Sequence, residues 1–247
     1  MAFQTIFKRY EIKYIITLEQ KEKIIEAMKD YMALDKYGRS SIRNIYFDTD
    51  SYRLISRSID KPLYKEKLRI RSYGKASADG AVFVELKKKY DGVVYKRRIA
   101  LPYETAMAWT AENAHCPVDT QISREIKYFL KFYETLKPRA FLSYEREAYY
   151  QKNGKDFRVT FDDNILFRTT DLSLDSDVYG EPLLEDGQVL MELKCSGGIP
   201  LTFVRILSKE KIYKTSFSKY GTGYKRFILP QLSLAKNTEE KKYANHT

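Results

Sequence analysis

Cysteine and histidine are almost absent from this chain of 247 residues: two of each, Cys116, Cys195, His115 and His246. The cysteines fall in no metal-binding or redox spacing, which argues against a disulfide framework and fits a reducing, cytoplasmic setting. So few histidines exclude a histidine-rich metal centre. Any divalent ion must be held by carboxylates, phosphates and water, the donor set of Mg²⁺ or Mn²⁺. The sequence has no run of about 18 apolar residues of the kind that spans a bilayer. It also opens without the apolar stretch of a signal peptide, so neither a membrane span nor a secretory leader is expected.

Positive charge is what the chain has in excess. Forty-four Lys and Arg against 33 Asp and Glu give a formal net charge of +11. That favours a polyanionic partner: a phosphate compound, a nucleic acid or an anionic surface. Tyrosine is frequent, with 21 residues, and with the cations it could stack bases, although it also suits half-buried strands. With 43% hydrophobic residues the composition is that of a globular protein. We expect a single domain over 1–230 and a flexible polar tail over 231–247.

Local patterns read mainly as strands. Period-two alternation marks strands at 9–16, 41–47, 63–73, 82–90, 93–101, 139–150, 157–162 and 189–194. Asp91-Gly92 is a hairpin turn signal between two of them. Thr17 and Gln20 form a capping box ahead of a helical stripe at Leu18, Ile24, Ile25, Met28, Tyr31 and Met32. A second helical stripe runs through Ile122, Ile126, Phe129, Leu130 and Tyr133, and a third helix is expected over 201–211. The segments 169–179 and 217–224 read as loops. The fold class is therefore mainly antiparallel β (α+β), with inserted helices.

The charges sit on one face of these strands. Arg69 and Arg71 alternate with Leu68 and Ile70; Glu85, Lys87 and Lys89 with Val84 and Leu86; Glu192 and Lys194 with Met191 and Leu193; Glu11 and Lys13 with Tyr10 and Ile12; Arg158, Thr160 and Asp162 with Phe157, Val159 and Phe161. Successive strand residues point to opposite faces, so each strand has one charged and one aliphatic side. A solvated outer face is the ordinary explanation for one such strand. The repetition over five strands suggests a sheet curled into a barrel with the charged faces inside. Unpaired cations held together there are costly unless a polyanion and a metal neutralise them.

Seven motifs in order carry a resemblance: Arg-Tyr-Glu-Ile-Lys-Tyr at 9–14, Leu-Arg-Ile-Arg at 68–71, Val-Glu-Leu-Lys-Lys-Lys at 84–89, Tyr-Glu-Arg-Glu-Ala-Tyr at 144–149, Arg-Val-Thr-Phe-Asp at 158–162, Met-Glu-Leu-Lys at 191–194 and Phe-Ser-Lys-Tyr at 217–220. From about Lys8 to Tyr224 the chain resembles the catalytic domain of the vacuolar transporter chaperone (VTC) polyphosphate polymerases, members of the triphosphate tunnel metalloenzymes. The resemblance implies an eight-stranded antiparallel tunnel with helices packed outside. It also implies ATP as phosphoryl donor, inorganic polyphosphate or pyrophosphate as acceptor, and Mn²⁺ or Mg²⁺ as cofactor. By position it assigns Lys13, Arg69, Arg71, Lys87, Lys89, Arg146, Arg158 and Lys194 to phosphate binding. Glu192 falls to the metal, with Glu11 as a further ligand, and Lys219 to the reacting phosphate chain, with Arg71 and Arg146 beside it. Glu11 and Glu85 are equally well read as ion-pair partners that orient the cations.

Hydrolytic and cyclase-type tunnel enzymes open with Glu-x-Glu-x-Lys, whereas this chain has Arg9-Tyr10-Glu11-Ile12-Lys13. Arginine in place of the first carboxylate favours the polymerase. The alternatives are a tunnel (tri)phosphatase and a non-catalytic module binding polyphosphate or RNA, although no specific nucleic-acid motif is present. Larger family members carry membrane-spanning and phosphate-sensing domains; neither is expected within these residues, and a membrane-protein partner is left open.

Overall fold

The computed structural model describes residues 10–91, 93–154 and 157–234. In chain order the elements are β1 (Tyr10–Thr17), α1 (Leu18–Met28), β2 (Met32–Asp48), α2 (Arg53–Ile59), β3 (Tyr64–Tyr73), β4 (Ala81–Tyr90), β5 (Val93–Pro102), α3 (Tyr103–Ala111) and α4 (Gln121–Tyr133). They continue with β6 (Lys137–Gln151), β7 (Arg158–Arg168), the two-residue β8 (Glu181–Pro182), β9 (Gln188–Cys195), α5 (Leu201–Lys209) and α6 (Lys219–Gly223). Beyond α6 the chain stays helical through a π turn at Tyr224–Ile228 and on to residue 234.

The strands form one sheet in the order β1-β9-β7-β6-β2-β3-β4-β5, with β8 added to β7. Every ladder is antiparallel. The expected antiparallel architecture with outer helices is present, and eight long strands make the path. The sheet curls like a tunnel but does not close: among the described residues no ladder joins β1 to β5. Part of the free edge of β1 is used by Thr215, whose N–H donates to the Lys13 carbonyl at 2.7 Å.

The aliphatic faces point outward and are covered by helices. Leu68, Ile70, Val84 and Leu86 pack beneath Trp109 of α3 and Ile126 and Phe129 of α4. Val159, Met191 and Leu193 pack beneath Ile24 and Met28 of α1 and Phe203 of α5. Each such side chain, fully removed from water, stabilises the fold by about 1.5–3 kcal/mol. The charged residues that alternate with these aliphatic ones thereby face the concave side, while a few others, such as Arg97 and Glu147, pair with outer-helix residues. The α1 start follows the expected capping box: Thr17 Oγ1 accepts from the Gln20 N–H at 3.1 Å, and Gln20 Oε1 accepts from the Thr17 N–H at 3.0 Å.

Two local expectations, the extent of the α1 stripe and the loop at 217–224, are corrected, and two further features appear. The α1 stripe stops at Met28, and Met32 already belongs to β2, where it is buried against the α1 cluster. Asp48 ends β2 and organises the start of the next helix. Its buried carboxylate accepts from the N–H groups of Thr49, Leu54 and Ile55, which nucleates α2. The region 102–133 holds two helices, since α3 precedes α4. The segment 217–224 is not a loop: Ser218 caps α6 by accepting from the Gly221 N–H at 3.2 Å. Its glycines serve close packing, for a Cβ on Gly223 would overlap the Phe167 ring. Arg9, Gly92 of the expected hairpin turn and residues 235–247 of the expected tail lie outside the described residues.

The C-terminal helix enters the concave side. Tyr220, Tyr224 and Ile228 pack on Tyr46, Ala140, Leu142 and Leu190, and Tyr220 stacks on Tyr46 at 4.8 Å. Gly223→Ala should therefore destabilise the protein by about 1–3 kcal/mol, the usual cost of overpacking. Adding Phe167→Leu should recover part of it in a denaturant titration. No interaction between the two substitutions would mean that this contact does not seat the helix.

Candidate functional site

Ladder register gathers the concave charges into acid-centred clusters. Glu85 stands opposite Arg69 on β3 and Arg98 on β5. Its carboxylate is 2.7 Å from Arg69, 2.6 Å from Lys96 and 3.5 Å from Arg98. Arg146 stands opposite Asp162 and donates to both its oxygens, at 2.5 and 2.6 Å. Lys219, the first residue of α6, adds a third bond to Asp162. Lys13 stands opposite Glu192, which lies 3.2 Å from Lys13 and 3.3 Å from Lys194, with Arg146 and Lys219 at about 4 Å. Lys87 reaches across the seam of the sheet to Glu11 at 3.1 Å. Lys13 also donates to the Phe217 carbonyl at 2.7 Å, which ties β1 to the approach of α6.

Four carboxylates thus serve eight cations, and five more cations of the same face, Lys65, Lys67, Arg71, Lys89 and Arg158, have no carboxylate within ion-pair distance among the described residues. Arg71, buried, donates to Asn44 Oδ1 at 2.9 Å and to the Tyr144 hydroxyl at 3.0 Å. Lys67 reaches only Ser218 Oγ, at 3.3 Å, and Lys65 only the Ser58 carbonyl, at 3.4 Å. The cation excess dominates the local titration behaviour. Burial alone would raise the acids, yet Arg69, Arg71 and Lys96 hold Glu85 far below the carboxylate range, and Lys194, Lys219 and Lys13 do the same to Glu192. Arg146 and Lys219 outweigh burial at Asp162 and lower it as well. Loss of water pushes Lys67 and Lys96 down to about 8, with neighbouring cations adding to the effect. Burial opposes the shift at Tyr144, but Arg146, Arg71 and Lys219 bring its phenol down to about 8.

The structure therefore brings Lys13, Arg69, Arg71, Lys87, Arg146, Glu192, Lys194, Lys219, Glu11 and Glu85 to one concave surface. Lys89 continues the Lys87 face but makes no ion pair among the described residues. Arg158 stands across the ladder from Lys194, exposed and without an ion pair among the described residues. Sequence reasoning missed Asp162 as a site residue, and also Lys67, Lys96, Arg98, Asn44, Tyr46 and Tyr144. Period-two alternation through 65, 67, 69 and 71 would have found Lys67. Pairing across the Asp91 turn would have found Lys96 and Arg98. Nothing local marks Asn44 or the two tyrosines, which the register of β2 and β6 brings beside Arg69 and Arg71.

No three His, Cys, Asp or Glu side chains converge on a preformed metal cage among the described residues. One or two carboxylates with phosphates and water suffice for Mg²⁺, and that is what this surface offers. Glu192 is the acid here whose charge is shared among several ammonium groups instead of a bidentate guanidinium. Across the ladder from it the buried Thr160 hydroxyl has no hydrogen-bond partner among the described residues. The residues fit an ion that arrives with its phosphates.

The VTC domain family model matches residues 8–228 of this chain. Two solved structures share the fold. One is a candidate adenylate cyclase from Bacillus halodurans, with 18% identity and a TM-score of 0.55, covering 90% of this chain and 97% of that one. The other is HpAC1 from Hippeastrum, a candidate adenylyl cyclase with a dominant triphosphatase activity, with 15% identity and a TM-score of 0.52, covering 89% and 97%. Among curated proteins none matches this sequence.

Glu85 is all but fully buried, so Glu85→Ala strands three cations and should cost about 3 kcal/mol in chemical denaturation. Its pKa is depressed on folding, so its contribution is fully present above the unfolded value of 4.5 and is lost as pH falls below that. Glu85→Gln should accordingly flatten the acid limb of the stability–pH curve. An unchanged acid limb would remove Glu85 as the holder of the arginine pair.

Proposed function

We propose that this chain, which belongs to the VTC domain family, is a polyphosphate polymerase that transfers the γ-phosphoryl group of ATP to the end of an inorganic polyphosphate chain. A triphosphate-acting tunnel enzyme is the broader class that family and fold support. The observation that carries the reading is the surplus of cations over carboxylates on the concave face, centred on the unpaired Arg71. A triphosphate supplies the missing counter-charge, and planar guanidinium groups suit its oxygens.

In the proposed reaction a terminal phosphate oxygen of the acceptor attacks the γ-phosphorus, the bond to the β-phosphate oxygen breaks, and ADP leaves. The nucleophile is already ionised at neutral pH, so no general base is required. Arg69 and Arg71, fixed by Glu85, Asn44, Tyr46 and Tyr144, bind and orient the donor phosphates. Arg146 and Lys219, held by Asp162, stabilise charge on the transferring group. Lys13, Lys87 and Lys194 line the path of the chain, with Lys89 and Arg158 at its margins. Mn²⁺ or Mg²⁺ at Glu192, with Glu11 within the same set of charges, would neutralise phosphate oxygens. The arginine at position 9 favours a phosphate acceptor over water.

Purified protein given ATP and Mn²⁺ should form ADP and a ladder of polyphosphate with little free phosphate. Free phosphate without a ladder would make the enzyme a tunnel hydrolase, and firm polyphosphate binding without turnover would make it a binding module. Arg71→Ala should abolish turnover while the melting temperature stays close to wild type, because the lost hydrogen bonds are offset by removal of an unpaired cation. Retained activity would overturn the clamp.

Lys67, Lys96 and Tyr144 all titrate at about 8. Above that value the lysines lose charge and the phenol gains one, so the surface becomes less positive by all three routes. The KM for ATP should rise between about pH 7 and about pH 9, with proton uptake on binding at the upper end. A flat KM profile would mean that these groups do not face the bound phosphates.

A further inference from the structure

The charges and rings that remain unused by the concave site meet on the convex face. There a cavity of about 330 Å³ opens between α2, α4 and the starting end of β3. Its outer wall is Tyr128 and Phe132, one turn apart on α4 and stacked at 6.2 Å with an interplanar angle of 22°. These rings are 68% and 55% exposed, although Ile126 and Phe129 have already buried the core-facing side of the same helix. They do not serve the core. Tyr64, also lining the cavity, is 45% exposed.

Two cations of the lining, Arg57 of α2 and Lys88 of β4, make no hydrogen bond or ion pair among the described residues. Lys88 stands across the ladder from Glu66 but has no ion pair with it. Glu66 is buried at 8% exposure and accepts one hydrogen bond from the Tyr64 hydroxyl and one from the Tyr133 hydroxyl, each at 2.5 Å and on different oxygens. A carboxylate has about four acceptor directions, so Glu66 keeps capacity for N–H donors of a ligand.

We propose that this cavity is a second, extra-luminal binding site for a nucleoside phosphate. Unpaired cations call for an anion, exposed parallel rings for a planar group, and the buried acid for ring or exocyclic N–H donors. A nucleoside phosphate presents all three. Inorganic polyphosphate has no ring to stack, and an uncharged aromatic leaves Arg57 and Lys88 without a partner. The volume lies at the small end of ligand pockets, which suits a mononucleotide. Lys65, which also lines the cavity, is counted with the concave face, but Arg57, Lys88, Glu66, Tyr64, Tyr128 and Phe132 have no part in the concave clamp, and the proposal does not rest on the polymerase reading.

The test is calorimetric titration of the full chain with ADP, together with photolabelling by an azido-purine ADP analogue and peptide mapping. Arg71→Ala protein should still bind one ADP, and the label should fall on α4 near Tyr128. Arg57→Glu combined with Lys88→Glu, and separately Tyr128→Ala, should weaken that binding by about tenfold or more, each with an unchanged melting temperature. Tyr128 is solvent-exposed, so its variant keeps the test usable if the charge reversals impair folding. Label confined to the concave strands would overturn the proposal, as would loss of all ADP binding in Arg71→Ala. Full displacement of the α4 label by inorganic tripolyphosphate would overturn the nucleoside part by showing that the rings contribute nothing.

Discussion

Like charges held close together on a surface partly removed from water define this molecule. Four acids neutralise eight of the concave cations, and Lys65, Lys67, Arg71, Lys89 and Arg158 remain over among the described residues. Such a surface repels itself and favours opening of the sheet. It persists because each acid is shared by several cations, which turns isolated charges into networks, and because the opposite face of every strand is locked under a helix. Arg146 shows the arrangement best. Its bidentate bond to Asp162 and the added Lys219 contact join β6, β7 and the start of α6 through one carboxylate.

The aliphatic side of the sheet supplies the stability against which that repulsion acts. Two outer clusters, one under α3 and α4 and one under α1 and α5, keep the strands curled. The third cluster lies on the concave side, where the C-terminal helix meets Tyr46, Leu142 and Leu190. It has a functional consequence on the proposed reading. The same helix begins with Lys219, and Tyr220 is fixed by its stack on Tyr46 and by donating to Asp48 at 3.1 Å. Tyr46 in turn accepts from Arg69 at 3.0 Å. The reacting lysine and the donor-binding arginine are thus set by one packed aromatic pair.

Much of this was legible in the chain itself, because alternation is a local property. Glu85 and Lys87, Arg69 and Arg71, Glu192 and Lys194 each declare a shared face within a few residues, and helix-stripe residues such as Ile126 and Phe129 declare what covers the other face. The capping box at Thr17 was equally local. What stayed hidden depends on register. Asp162 carries no mark in its own strand that separates it from a solvated acid, and it becomes central only when β6 sets Arg146 opposite. Helix α2 is too short to show a stripe and forms around the Asp48 carboxylate. Helix α6 contains two glycines, which read as loop, yet Gly223 is needed because the Phe167 ring leaves no room for a Cβ.

The filled end of the concave surface constrains how a polymer could grow there. The C-terminal helix occupies one end, so a lengthening chain cannot lie straight through the axis of the sheet past Tyr220 and Tyr224. The remaining route is the seam where β1 and β5 share no ladder. It is crossed by the Lys87–Glu11 ion pair, between two partly exposed side chains. Such a pair is worth at most about 1 kcal/mol, far less than a backbone ladder, so a polyanion competing for Lys87 can part it without unfolding a strand. An incompletely closed sheet therefore suits the proposed reaction better than a sealed barrel. It keeps Arg69 and Arg71 towards the centre and sets Lys87 and Lys89 of β4, one strand in from the open edge, on the route by which a product would leave.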